Sequence, residues 1–366
     1  MITEILAPDI EIVWLPWAVA YFFFIGISLT AVILTLPAIL FNQKQSSGVA
    51  RAAMIVMLVC AIVGPVALLA DIHQPARFWH FYAHITPWSW MSIGAIFLPV
   101  YVVASLFYSW VFLRPALLQS KAKTGITGAI TNALAMGSWE GKRLLKPVAI
   151  ITLILGMIIA LYTGSEVAII ASRELWSSYL IPVFFFTTAL LGASSLSLII
   201  AYLIHEDNIT LSKLGRYTHW FSLLSLGVLV VWFVLAFSTN GAEAKSLALL
   251  QHSAQWQFNL LILVLLSLFS TFFSNGSSKL ILLSAISGLV VSWMSRWFIF
   301  IDGQTVPKYG AGFYSYELPL GTEGLLGILG VFGLWLFLTI VVYELFPWAS
   351  KRKWTNNTET QVEVKS

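Results

Sequence analysis

Nine apolar segments, each long enough to cross a lipid bilayer, dominate this 366-residue sequence. An α-helix needs about 20 consecutive apolar residues to cross the hydrocarbon core, and it satisfies its own backbone hydrogen bonds there. The sequence therefore predicts an all-α polytopic integral membrane protein with nine transmembrane helices. The predicted helices lie near residues 12–40, 51–71, 89–113, 147–172, 179–203, 217–238, 256–274, 280–301 and 323–346.

The scarcity of charge supports this class and argues against several others. Charged residues make up 10% of the chain and hydrophobic residues 59%, whereas soluble domains are about a quarter charged. The net charge of +4 comes from Lys and Arg between the segments, so the expected partner is the lipid bilayer and not nucleic acid. The single cysteine, Cys60, lies within an apolar segment. We therefore expect no disulfide and no metal site in this chain.

The distribution of Lys and Arg predicts the orientation in the membrane. If the N-terminus is outside, the inner joints hold fifteen of these residues and the outer joints hold four. Cytoplasmic loops carry the excess of positive charge. We therefore place residues 1–11 and 302–322 outside, and residues 114–146 and the tail 347–366 in the cytoplasm.

Two of the segments share a run of three phenylalanines followed by small residues. The runs lie at residues 22–24 and 184–186, with Gly26 following the first and Gly192 the second. Small residues suit the close approach of helices in lipid. The repeat predicts two four-helix bundles, residues 12–172 and 173–301, with the ninth helix at 323–346 as an addition.

Polar and aromatic residues from several segments converge on the predicted outer face. Ionisable groups at membrane depth are costly unless they are partnered or functional, so we expect a functional site there. The candidate site residues are Trp17, Tyr21, Asp71, His73, Arg77, Trp79, Tyr162, Glu166, Arg296 and Trp297.

Each candidate also has an ordinary structural explanation. Arg296 could reach the interface or pair with Asp302, Glu166 could be solvated at a helix end, and Asp71 could end the second helix. The aromatic residues could form an interfacial belt. Because four helices must each place a polar group at a similar depth, the combination favours a site. A transporter with a solute site at the outer face and a pure membrane anchor remain alternatives.

The histidines argue against a haem within the spans. A haem in a helix bundle needs histidines that face one another well inside the membrane. The six histidines of this chain all lie at or near predicted helix ends, so no haem is expected. An apolar redox molecule that docks from the bilayer, or a transported solute, fits the site better.

Several strings together resemble the NrfD-like, polysulfide-reductase-type family of membrane subunits. They lie at residues 17–28, 71–79, 161–164, 182–184 and 295–297, with Gly303 and Gln304. The resemblance implies a haem-free subunit of the bacterial inner membrane that oxidises menaquinol or ubiquinol near the periplasmic face. It also implies a periplasmic four-cluster iron–sulfur subunit as electron acceptor and a molybdopterin catalytic subunit beyond it. Tyr162 matches the family's Tyr-Thr-Gly position.

Quinol oxidation gives these residue types definite roles. A quinol loses two electrons and two protons, so a carboxylate, Tyr or His must accept a proton, and a fixed cation stabilises negative charge on the head group. We expect Asp71 or Glu166 to accept the proton, Tyr162 to anchor the head group and Arg296 to supply the cation. Trp17, Tyr21, His73, Arg77, Trp79 and Trp297 are the candidates for quinol binding.

Overall fold

The nine predicted spans are confirmed in a computed structural model, which describes residues 12–72, 74–119, 125–137, 139–306, 314 and 316–345. All regular secondary structure in this part of the chain is helical, and nine of its helices are long and apolar enough to cross a membrane. His73, residues 1–11 and the tail 347–366 lie outside the described residues.

The spanning helices match the predicted order but differ at their ends. Helix α6 begins at Asn208 rather than at 217 because the carboxylate of Asp207 accepts a hydrogen bond from the Thr210 amide at 3.0 Å and caps the helix. The nine helices are α1 Pro16–Ile39, α2 Ser47–Asp71, α3 Trp90–Gln119, α4 Lys142–Ala168, α5 Ile181–Leu203, α6 Asn208–Ser238, α7 Ala254–Phe273, α8 Ser278–Trp297 and α9 Leu325–Leu345.

Shorter helical segments connect the spans. Helices Gly125–Leu134 and Ala242–His252 were not predicted, and neither was the single turn His80–Ala83. Helix α8 continues without a break into a π-helical turn, Phe298–Asp302. Such turns are rare and occur often at functional sites.

Helices α1 and α5 form the centre of the molecule. Both are almost entirely buried among other helices, whereas most of α6 and α9 is exposed to the surroundings. Helix α1 packs along α2 and also contacts α4, α5 and α8, while α5 packs against α6 and α8. Helix α3 pairs with α4, α7 pairs with α8, and α9 lies against α2. The division into two four-helix bundles stays a prediction.

Glycines let the central helices approach closely, as the repeat predicts. A Cβ atom on Gly26 would lie 3.3 Å from Cβ of Ala189 on α5 and 3.2 Å from the Arg296 guanidinium on α8. A Cβ atom on Gly192 would lie 3.0 Å from the Ile27 side chain and 2.6 Å from the Ser292 hydroxyl. Larger residues at either position would push α1, α5 and α8 apart.

Candidate functional site

A cavity of about 340 Å³ lies among α1, α2, α3 and α4 at the end of the molecule that is predicted to face outward. This volume falls within the range of about 300–1,000 Å³ that is usual for small-molecule sites. Four candidate residues line it together: Tyr21, Asp71, Tyr162 and Glu166. The remaining wall is mostly apolar and includes rings from the segment after α2, Phe78, Phe81 and Tyr82.

The polar centre of the cavity is a tyrosine–glutamate pair on α4. Tyr162 and Glu166 are four residues apart, so their side chains lie on the same helix face. The Tyr162 hydroxyl lies close enough to the Glu166 carboxylate to interact with it. Both residues are buried, with 7% and 9% of their surface exposed. A carboxylate in this setting has a proton donor beside it and a largely apolar cavity in front of it.

The hydroxyl of Tyr21 faces this pair from α1. Tyr21 is 2% exposed, and its hydroxyl has no hydrogen-bond partner among the described residues. It lies close enough to Tyr162 and Glu166 to interact with them electrostatically. A buried hydroxyl that is left unsatisfied costs about 1–3 kcal/mol. The cavity therefore offers an unused hydrogen-bonding position to a ligand.

Asp71 is both a helix end and part of the cavity wall. It is the last residue of α2, and its carboxylate accepts a hydrogen bond from the Leu15 amide at 3.2 Å. This contact ties the start of α1 to the end of α2. Asp71 therefore both ends helix α2 and contributes a carboxylate to the cavity wall.

Gln304 holds the start of α1 in position over the cavity. This buried side chain accepts hydrogen bonds from the amides of Val13 and Trp14, each at 3.0 Å. Its own amide donates to the carbonyls of Trp14 at 2.9 Å and Phe300 at 2.8 Å. Trp14, which lines the cavity, also stacks on Phe300 with ring centroids 4.9 Å apart. The segment after α8 thus positions one wall of the cavity.

Gly94 on α3 is a site residue that sequence reasoning missed. It lines the cavity, and a Cβ atom at this position would overlap the ring of Tyr162. The glycine therefore makes room for the tyrosine of α4. A glycine within an apolar helix carries no sequence signal of such a role, because the partner lies on another helix.

Arg296 does not line the cavity. Its guanidinium is 1% exposed and donates to the carbonyls of Phe185 at 2.7 Å and Ser292 at 3.0 Å. It also donates to the hydroxyls of Thr188 at 2.6 Å and Ser295 at 2.8 Å. The guanidinium carbon lies 5.2 Å from the ring of Phe185. The Phe185 ring packs against Phe22, which lines the cavity, so Arg296 reaches the cavity only through these rings.

Neutral oxygens rather than a carboxylate surround Arg296. Within the described part of the chain, no Asp or Glu oxygen lies within 4.0 Å of its guanidinium. Asp302, the partner considered from the sequence, is fully buried and accepts hydrogen bonds from Gln255 at 3.1 Å and Asn259 at 2.6 Å. The arginine and the aspartate are thus held in separate networks.

Four other candidates lie away from the cavity. Trp17 packs against Gly327 of α9. Arg77 and Trp79 belong to the exposed turn that follows α2. The ring of Trp297 lies 6.1 Å from that of Tyr316, whose pKa is raised by burial.

The sequence of this chain matches one protein family and several known proteins. Residues 7–308 match the family described as "Polysulphide reductase, NrfD". The chain belongs to the NrfD family. It is 35% identical to the C subunit of tetrathionate reductase from Salmonella typhimurium, over 96% of this chain and 97% of that one. It is 22% identical to the C subunit of selenate reductase from Mesobacillus selenatarsenatis, over 94% and 88% of the two chains. It is 24% identical to an NrfD homolog of Haemophilus influenzae, over 80% and 95%.

The family membership confirms the resemblance drawn from the sequence strings. Three of those strings provide residues of the cavity, Tyr21, Asp71 and Tyr162. A fourth provides Gln304, which clamps the start of α1. Thus, the motifs that identify this NrfD-family chain also build and support its cavity.

Proposed function

We propose that this chain is the quinol-oxidising membrane subunit of a reductase complex of anaerobic respiration. One observation carries the proposal: a mostly apolar cavity in which the Tyr21 hydroxyl, which has no hydrogen-bond partner in the described part of the chain, meets the Tyr162–Glu166 pair. A quinol head group has an apolar ring and two hydroxyl groups, and it matches this combination. Because the chain is 35% identical to a tetrathionate reductase subunit over 96% of its length, we propose tetrathionate as the terminal acceptor.

The cavity residues then receive and remove the protons of the quinol. Glu166 accepts one proton, with Tyr162 beside it as the hydrogen-bonding anchor. Tyr21 orients the head group through its free hydroxyl. Asp71, at the end of α2 and beside the exposed loop, accepts the second proton and passes it to the outer solution. The two protons leave on the outer side, and the two electrons leave toward a partner protein.

The loop after α2 is the proposed docking surface for that partner. Phe78, Trp79, Tyr82 and Trp88 expose between 45% and 84% of their surface, and exposed aromatic rings are enriched at protein interfaces. Phe78 and Tyr82 also line the cavity, so a partner docked here lies close to the quinol. We propose that it is a periplasmic four-cluster iron–sulfur subunit that feeds a molybdopterin catalytic subunit. The chain then lies in the bacterial inner membrane with a periplasmic N-terminus and a cytoplasmic C-terminus.

A transporter would be expected to break its helices near the middle of the membrane. A glycine–proline pair that could break a helix lies within α2, at Gly64-Pro65. Helix α2 runs through both residues without interruption, and Gly64 packs against the backbone of Ile25 on α1. A Cβ atom on Gly64 would lie 3.3 Å from the Ile25 amide nitrogen. The glycine serves helix packing there, which favours the redox function over transport.

The test compares two electron donors in the assembled complex. Glu166→Gln and Tyr162→Phe are expected to lower turnover with quinol by about 10²-fold or more, the usual loss for a group in proton transfer. Turnover with an artificial dye, which reduces the partner subunits directly, should stay at the wild-type level. The matched control is Glu174→Gln, which removes a partly exposed carboxylate that pairs with Lys245; it should leave both rates unchanged.

Two results would contradict the proposal. If Glu166→Gln and Tyr162→Phe retain quinol-linked turnover near that of the control, the cavity is not the site of quinol oxidation. If the wild-type complex reduces its substrate with dye but never with quinol, the chain is an anchor and not a quinol dehydrogenase.

A further inference from the structure

A second cavity, of about 520 Å³, lies at the opposite end of α1, α2, α3 and α4. We call it the inner cavity because the charge distribution predicts that this end faces the cytoplasm. It is formed by the last residues of α1, the first turns of α2 and α4, and the last turns of α3. It is far from the quinol site along the same four helices, and the proposed function gives it no role.

Three basic residues line the inner cavity: Arg51, Lys142 and Lys146. None of the described residues in its wall is acidic. The Arg51 guanidinium is fixed from behind by two hydrogen bonds to the buried Glu206, at 2.7 and 2.6 Å. Lys142 pairs with the exposed Glu140, and such surface pairs contribute little. Lys146 donates to the Leu40 carbonyl at 3.2 Å and has no carboxylate within 4.0 Å in the described chain.

One uncapped helix N-terminus adds to this positive charge. Helix α4 begins at the inner cavity, with Lys142 in its wall. Its N-cap residue, Gly141, forms no side-chain cap with any described residue, and its first turn has no acidic residue. The free amides at a helix N-terminus attract anions. The lysines and the start of α4 together therefore select a negatively charged group.

Apart from Asn42 and Ser47, the rest of the wall is apolar, which separates this cavity from a simple anion site. Ile39 of α1, Leu145 of α4, and Phe112, Leu113, Pro115 and Ala116 of α3 line it. A free inorganic anion makes no use of such a surface. A molecule with a phosphate at one end and a hydrocarbon chain at the other satisfies both parts of the wall.

We infer that the inner cavity binds the phosphate of an anionic phospholipid, whose acyl chain lies along the α3 wall. Basic pockets between helices at the cytoplasmic face suit such lipids, because the leaflet supplies them at high local concentration. A free phosphate ion and a phospholipid both carry a phosphate group. Only the phospholipid also has a hydrocarbon chain that can fill the apolar part of the wall. Bound lipid would contact the ends of α1, α2, α3 and α4 at this face.

The experiment uses the purified full-length chain, stripped of lipid in detergent, and titrates it with phosphatidylglycerol, phosphatidylcholine or inorganic phosphate. Native mass spectrometry counts bound lipid, and thermal unfolding reports stabilisation. Phosphatidylglycerol should bind and raise the melting temperature. Lys142→Gln with Lys146→Gln should weaken this binding by about thirty-fold, since each lysine near an anionic lipid contributes about five-fold. Replacement of both lysines by arginine should retain the binding of phosphatidylglycerol.

The matched control removes the same charge at the same end of the molecule. Arg216 and Lys279 lie near the starts of α6 and α8, which begin at the same end as α2 and α4. Their double replacement by Gln should leave lipid binding unchanged. Equal binding of phosphatidylcholine, or equal loss in the control variant, would overturn recognition of a charged head group. Stabilisation by inorganic phosphate alone would assign the cavity to a free anion and overturn the lipid.

Discussion

Replacement of Gly94 by alanine tests whether the position of Tyr162 matters for quinol oxidation. A Cβ atom at position 94 would lie 2.6 Å from Cε1 of Tyr162 and still closer to the end of the ring. Carbon atoms pack at about 3.5–4.0 Å, so the ring must move by roughly 1 Å. The ring borders the cavity, so it can move into open space and the fold should survive.

The size of the effect follows from this displacement. The Tyr162 hydroxyl would shift relative to the neighbouring Glu166 carboxylate. A misplacement of about 1 Å in a catalytic group can cost about 10²-fold in rate, which corresponds to about 2.7 kcal/mol in the activation barrier. We therefore expect quinol-linked turnover to fall by about 10²-fold while the thermal stability of the chain changes little.

The assay measures the same preparation with a reduced quinol analogue and with an artificial dye donor. Gly330→Ala is the matched control, because a Cβ atom at that position on α9 meets no described atom within 4 Å. Dye-linked turnover should be equal in all three proteins. Quinol-linked turnover of Gly94→Ala within about two-fold of the control would refute the reasoning, because the ring would then have moved without consequence.

Three further predictions follow from particular residues and regions. Tyr21→Phe should raise the KM for quinol several-fold without lowering the melting temperature. The reason is that the lost hydroxyl has no hydrogen-bond partner among the described residues. A lower melting temperature with an unchanged KM would contradict this. Arg296→Leu should sharply reduce the yield of folded protein, since it leaves the oxygens of Phe185 and its neighbours without a donor; normal yield on size-exclusion chromatography would count against it. Reporter fusions at Lys123 and Gly310 should give opposite signals, and identical signals would rule out the predicted orientation.

The sequence alone determined the class of fold and the depth at which polar groups occur. A bilayer of fixed thickness demands apolar runs of about 20 residues, so nine spans could be read directly, and the described part of the chain contains nine helices of this kind. The depth of a residue in the membrane then follows from its position in the span. For this reason Tyr21, Asp71, Tyr162 and Glu166, which come from three different helices, were expected at the same end of the molecule. In the structure they line one cavity.

Only the tertiary structure decided which side chains share a site. Arg296 was expected beside the quinol, yet it is enclosed by oxygens of α5 and α8 behind the rings of Phe185 and Phe22. Gly94 was not expected at all, because its role is defined by a tyrosine on α4. Almost every residue in a buried membrane helix is apolar, so periodicity gives little sign of the direction a side chain faces. That direction depends on the rotation of each helix against its neighbours, and packing at positions such as Gly26 and Gly192 sets it.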